Sequence, residues 1–169
     1  MRVLPAVVAA LAASFGAGAG GQPQAAPCAG GQLGGRFAVV PNSGAAGSIS
    51  YRLTLRNTSA RICAVTGLPL GRLLGRSRRP LPTHVIAAHP GALTAVLVRL
   101  VPGDSTFAAA RFSPDVPGPG EPVAGTSCEP TAYWFRVLAP GGGATLVKLV
   151  PPTPVCEHGT MSFTAYSHR

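Results

Sequence analysis

The stretch Gly47-Ser-Ile-Ser-Tyr-Arg-Leu-Thr-Leu-Arg-Asn-Thr-Ser-Ala-Arg-Ile-Cys63-Ala-Val-Thr-Gly-Leu-Pro69 decides the fold class. Ile49, Tyr51, Leu53 and Leu55 fall on one side, and Ser50, Arg52, Thr54 and Arg56 on the other. A period of two is the mark of a half-buried β-strand, because successive side chains of a pleated strand face opposite ways. Asn57-Thr58-Ser59 carries turn chemistry, and Ile62 to Val65 opens a further strand.

Upstream, Arg36 to Val40 reads as a strand, and Pro41 to Gly44 as a turn. The two strands on either side make an antiparallel hairpin with a longish loop. Downstream, strands are expected at Leu70 to Leu74, Ala92 to Val101, Thr106 to Phe112, Thr131 to Leu138, Ala144 to Val150 and Thr160 to Ala165. Pro102-Gly103-Asp104-Ser105 and Pro140 to Gly143 are turns between them. Thr83 to Pro90 has weak local preference, and the proline-rich Ser113 to Ser127 reads as a loop. Pro151 to Pro154 is expected to break the chain. Short strands separated by turn signals, with no long helical period after the leader, indicate an antiparallel β-sandwich.

The first residues have the form of a secretory signal peptide. Arg2 is followed by an apolar run from Val3 to Phe15, and Ala17-Gly18-Ala19 is an A-x-A cleavage signal. The expected division is a leader over residues 1–19, with cleavage as late as residue 26, a linker over 20–27, and one domain over 28–169. The apolar run is shorter than the roughly 20 residues that span a bilayer. Residues 25–27 do not form the small-residue box that would direct a lipid to Cys28. The four cysteines, Cys28, Cys63, Cys128 and Cys156, read as two disulfides in an exported chain. Three connectivities are possible; chain order and the gaps favour Cys28–Cys63 with Cys128–Cys156. Each bridge would stabilise the fold by about 3–4 kcal/mol.

Taken together, several motifs resemble a known family. Gly47-Ser48-x-x-Tyr51, Leu55-x-Asn57-Thr58-Ser59, Cys63-x-x-x-Gly67-x-Pro69, Leu100-Val101-Pro102-Gly103-Asp104-Ser105, Cys128-Glu129-Pro130 and Val155-Cys156 occur in its order. The pattern is similar to domain of unknown function 4232, common in exported actinobacterial proteins, and covers about Cys28 to Phe163. The resemblance implies an immunoglobulin-like sandwich in a secreted or envelope protein. It implies no reaction and no catalytic residues.

The net charge is +9, with fourteen Lys and Arg against five Asp and Glu. Such a surface favours anionic partners. Arg76, Arg78 and Arg79, with Arg72 nearby, form the basic cluster and are the candidate anion-binding residues. The expected partner is an anionic cell-envelope polymer or another envelope protein. Nucleic acid is disfavoured because no aromatics interleave this cluster. A monomer is expected.

Catalytic patterns are sparse. Gly125-Thr126-Ser127-Cys128-Glu129 lacks the second glycine of a nucleophile elbow. Among Asp104, Asp115, Glu121, Glu129 and Glu157 no adjacent pair stands out, and no acidic cluster suited to calcium is visible. Cys-x-x-Cys and phosphate-binding glycine loops are absent, so no cofactor is expected. His84, His89, His158 and His168 would hold zinc or copper only if the fold gathered them. Asn57-Thr58-Ser59 also fits the glycan acceptor triplet, although a turn explains it better. In Tyr133-Trp134-Phe135, Trp134 faces opposite to its neighbours; at least one face is expected to pack the core, where immunoglobulin-like folds often bury a Trp, and the alternative is an exposed aromatic platform for sugar. The sequence therefore points to an exported, non-catalytic binding or structural module. The alternatives are an extracellular enzyme with a loop-built site and a metal-binding module.

Overall fold

The computed structural model describes residues 25–91, 96–123 and 128–168. The expected leader and most of the linker lie outside the described residues, as do positions 92–95 of one expected strand and 124–127 of the proline-rich loop. The chain is all-β. Its strands are β1 (Leu33–Val39), β2 (Ile49–Asn57), β3 (Cys63–Val65), β4 (Gly71–Leu74), β5 (His84–Ala87), β6 (Val98–Leu100), β7 (Ser105–Phe112), β8 (Ala132–Leu138), β9 (Ala144–Thr153) and β10 (Thr160–Phe163).

The alternating stretch becomes β2, where Tyr51, Leu53 and Leu55 are buried while Arg52 and Arg56 are exposed. β1 pairs antiparallel with it from Leu33↔Asn57 to Val39↔Tyr51, which is the expected hairpin. β1 also pairs parallel with β9 through Phe37↔Leu149 and Ala38↔Val150. This double pairing changes the architecture. Two separate sheets facing each other were expected; the hydrogen bonds instead run through one eight-stranded sheet, ordered β4-β8-β9-β1-β2-β7-β10-β5. A second ladder, β3-β6, pairs Cys63↔Leu100 and Val65↔Val98.

The large sheet curls upon itself. β8 and β10 stand five strands apart in its order, which in a flat sheet would be ~24 Å. Yet the rings of Phe135 on β8 and Phe163 on β10 stack with centroids 5.8 Å apart. Phe37 on β1 lies 5.6 Å from Phe135 and 5.8 Å from Phe163. Burying these aromatic faces is what makes curling favourable. The sheet's two edges also approach each other. Leu81 donates its N–H to the Leu73 carbonyl (2.9 Å), and Leu73 donates to Thr83 Oγ1 (2.9 Å). Residues 80–83 thus flank β4 and lead directly into β5, at the far end of the order, leaving a nearly closed, barrel-like sheet.

The disulfides join Cys28 to Cys63 and Cys128 to Cys156. The first lies beside mutual backbone hydrogen bonds: Cys28 N–H to the Ala64 carbonyl (2.8 Å) and Ala64 N–H to the Ala26 carbonyl (2.9 Å).

Several local expectations change. One face of Tyr133-Trp134-Phe135 does pack the core, that of Phe135, with Trp134 on the other; an irregularity between Ala132 and Trp134 takes Tyr133 out of strict alternation. His84 to Ala87 is a strand because Thr160↔His84 through Phe163↔Ala87 pair in parallel, a partnership that local preference does not reveal. β9 runs through Pro151 and Pro152 to Thr153. Proline lacks only the donor, and the Pro151 carbonyl accepts the Tyr51 hydroxyl at 2.9 Å. Of the described residues 96–101 of another expected strand, Val98–Leu100 are paired.

Asn57 closes β2 as a buried, fully used amide. Its Nδ2 donates to the carbonyls of Arg61 (2.7 Å) and Leu100 (3.0 Å), and its Oδ1 accepts from the Ser59 N–H (3.0 Å) and hydroxyl (2.7 Å). Its backbone bonds to Gly103 and Asp104. The Asn57-Thr58-Ser59 and Pro102-Gly103-Asp104 turns are therefore held as one unit.

Candidate functional site

The outer face of β4, β8 and β9 follows from alternation. Inward positions are Leu73, Phe135, Val137, Val147 and Leu149; outward positions are Arg72, Trp134, Arg136 and Lys148. Register then sets the neighbours: Arg72 lies opposite Arg136, and Trp134 opposite Lys148. The turn after β4 adds two guanidinium groups. That of Arg78 sits 5.4 Å from the centre of the Trp134 ring. That of Arg76 sits 5.0 Å from the Tyr133 ring and donates to the Tyr133 hydroxyl at 2.9 Å. Each such contact is worth about 0.5–1 kcal/mol at an exposed site. It holds the cation near the sheet while leaving other N–H donors free. Arg79 is exposed on the same turn.

The cationic surface continues across β9 onto β1, β2 and β7. Arg36, Arg52, Arg56 and Arg111 alternate outward there. Arg52 lies 5.7 Å from the Phe107 ring centre. A shallow hollow of about 300 Å³ is lined by Arg36, Val39, Pro41, Arg52, Thr54 and Phe107. Among the described residues no arginine or lysine makes an ion pair. β1, β2, β4, β7, β8 and β9 carry no acidic residue at all.

The acids that do converge sit elsewhere. Glu121, in the proline-rich loop, has a side chain only 2% exposed. Its Oε2 accepts the backbone N–H groups of Gly118 (2.6 Å) and Glu157 (2.9 Å), and its Oε1 accepts that of His158. Glu157 and His158 are both left-handed, at φ 56°, and Gly159 follows at φ 77°. Consecutive N–H groups in such a turn form an anion-holding concavity, and Glu121 fills it. Gly159 is required, since a Cβ there would overlap the Pro82 carbonyl. His158 Nδ1 lies 3.6 Å from Glu121 Oε1 and 3.7 Å from Glu129 Oε1. Its Nε2 is 3.0 Å from the Pro119 carbonyl.

Burial alone would raise the Glu121 carboxyl. The backbone donors of His158, Gly118 and Glu157, with the nearby imidazole, outweigh it and hold the group below the usual carboxylate range. Burial, and then the Glu121 charge, push the Glu129 carboxyl up, against the opposing pull of His158.

The sequence's basic cluster, Arg72, Arg76, Arg78 and Arg79, therefore lies on or beside one face, which Arg136 and Lys148 enlarge. The alternation of Trp134-x-Arg136 and Leu146-x-Lys148 carried that signal. The four histidines are not gathered. His84 is exposed on β5, His89 is exposed beyond it, and His168 lines a separate hollow with Arg52 and Phe107. Glu121 and Glu129, which the sequence left without a pairing, meet beside His158. Glu129 follows Cys128, and His158 lies two residues after Cys156, so the Cys128–Cys156 bridge draws them together.

These features define a disulfide-stapled all-β domain with an arginine-clad outer face. Residues 28–166 match the family described as Domain of unknown function (DUF4232), and the chain belongs to it. Comparisons with curated proteins and with solved structures give no match.

Proposed function

We propose that this protein is an exported, cell-envelope-associated binding module that holds an anionic envelope polymer and performs no reaction on it. The observation that carries the reading is the face built on Trp134, where Arg72, Arg78, Arg136 and Lys148 meet with no acid to neutralise them. Unpaired cations around an aromatic platform suit a polymer that offers repeated negative charges beside apolar or sugar-like surface. Two disulfides support an oxidising, extracytoplasmic location. Among the described residues no helix is long and apolar enough to cross a membrane. In the immunoglobulin-like reading of the fold, β4-β8-β9 and β2-β7-β10 are two layers joined at β1. The stacking of Phe135 on β8 against Phe163 on β10, across the interior, supports it. Binding is favoured over catalysis because Glu121 is engaged by three backbone donors and is poorly placed to take up a proton.

The test is co-sedimentation of the oxidised protein with purified anionic wall material over a range of salt. Binding should weaken steeply as salt rises. The Arg72→Ala/Arg78→Ala/Arg136→Ala/Lys148→Ala variant should bind at least tenfold less tightly and with a shallower salt dependence. Retention that responds to neither salt nor these changes would refute the proposal.

A further inference from the structure

We propose that Glu121, Glu129 and His158 form a binding site for one divalent transition-metal cation of the zinc class. With His158 Nε2–H donating to the Pro119 carbonyl at 3.0 Å, a neutral imidazole presents an unprotonated Nδ1 on its other side. That atom faces two carboxylates, at 3.6 and 3.7 Å. All three ligand atoms lie within 4.8 Å of one another. Three ligand atoms thus converge, and a divalent cation can take the place of the proton they otherwise share.

The distances suit zinc. Metal–ligand bonds of 2.0–2.1 Å in a tetrahedron separate neighbouring ligand atoms by about 3.3 Å. Both histidine–carboxylate separations are a few tenths of an ångström longer. The Glu129 carboxyl faces the Glu121 carboxyl and the His158 ring, and so borders the third side of the site. The surroundings also match. A metal-bound histidine usually donates its second N–H to a carbonyl or carboxylate, and ligating carboxylates are themselves held by donors. Here Pro119 serves the first purpose, and the N–H groups of Gly118 and Glu157 serve the second. One imidazole with two carboxylates favours zinc-class ions over calcium, which takes six to eight oxygens. The His158 side chain is 53% exposed, which leaves an open position for water or an anionic group. The ion would clip together the proline-rich loop, the segment at Cys128 and the left-handed turn.

The experiment titrates zinc into the full exported chain with both disulfides intact, by calorimetry and by competition with a chromogenic chelator. The thermal midpoint is followed with zinc and with EDTA. One zinc per chain is expected, with an EDTA-reversible rise in midpoint. Glu129→Gln and His158→Asn should each weaken zinc at least tenfold, and His84→Ala/His89→Ala should leave it unchanged. Glu129→Gln removes no backbone contact, so its midpoint in EDTA should match that of the native chain. Failure of the oxidised protein to take up zinc would overturn the site. So would uptake that survives both ligand variants, uptake lost only with His84 and His89, or calcium binding of equal strength.

Discussion

The two charged regions use the same kind of group in opposite ways. On the outer face, cations are spread over the strands and face water without acidic partners. In the corner around Glu121, two of the few acids are packed against a histidine and against backbone N–H groups. The first region turns its charges toward water. The second holds three loops in place, and its charge is turned inward.

The sharpest way to break this contrast lies on neighbouring residues of β8. Phe135→Ala, on the inner side, should lower the unfolding free energy by about 3–5 kcal/mol in urea titration. Trp134→Ala, on the outer side, should cost about 1–1.5 kcal/mol and should weaken retention on wall material. Equal stability losses would mean that the outer face is structural after all. Next in size is the staple of the acidic corner. Replacing Cys128 and Cys156 with Ala should cost about 3–4 kcal/mol. Hydrogen exchange should then accelerate first at the Glu157 and His158 amides, while β8 amides keep their protection.

The smallest effect concerns alkali. Burial pushes the Tyr166 phenol well above its ordinary value, and burial also raises Tyr51. The folded state therefore prefers the protonated phenol. Its contribution is fully present below the unfolded value of about 10 and is lost as pH rises beyond it. Stability should be level from pH 8 to 9.5 and fall above about 10. Tyr166→Phe should flatten that fall; an unchanged slope would assign the alkaline loss to other groups.

Much of the sheet was legible because it is written locally. The period of two over Ile49 to Arg56 marks β2 and its buried face, and turn residues mark where β1, β7, β8 and β9 begin. What escaped depends on partners distant in the chain. His84 to Ala87 has no strong strand preference, and β10, which makes it a strand, lies more than seventy residues on. The curl was hidden because β1's second pairing, to β9, leaves no mark in β1 itself. The same holds for the sites. Arg76, Arg78 and Arg79 cluster in sequence and were visible, but Arg136 and Lys148 join them only through strand register. Glu121 and His158 lie 37 positions apart, and a left-handed turn and a disulfide bring them together.

The sealed amide of Asn57 has a practical consequence for making the protein. Oligosaccharyltransferase in a eukaryotic secretory pathway modifies an Asn-x-Ser triplet as the chain emerges, before any sheet exists. Sugar on the Asn57 nitrogen would displace its bonds to the Arg61 and Leu100 carbonyls and wedge a bulky group into a space with 0% exposure. Material from yeast or mammalian culture should therefore be retained and degraded wherever that position is occupied. A bacterial periplasm lacking this modification is the better source.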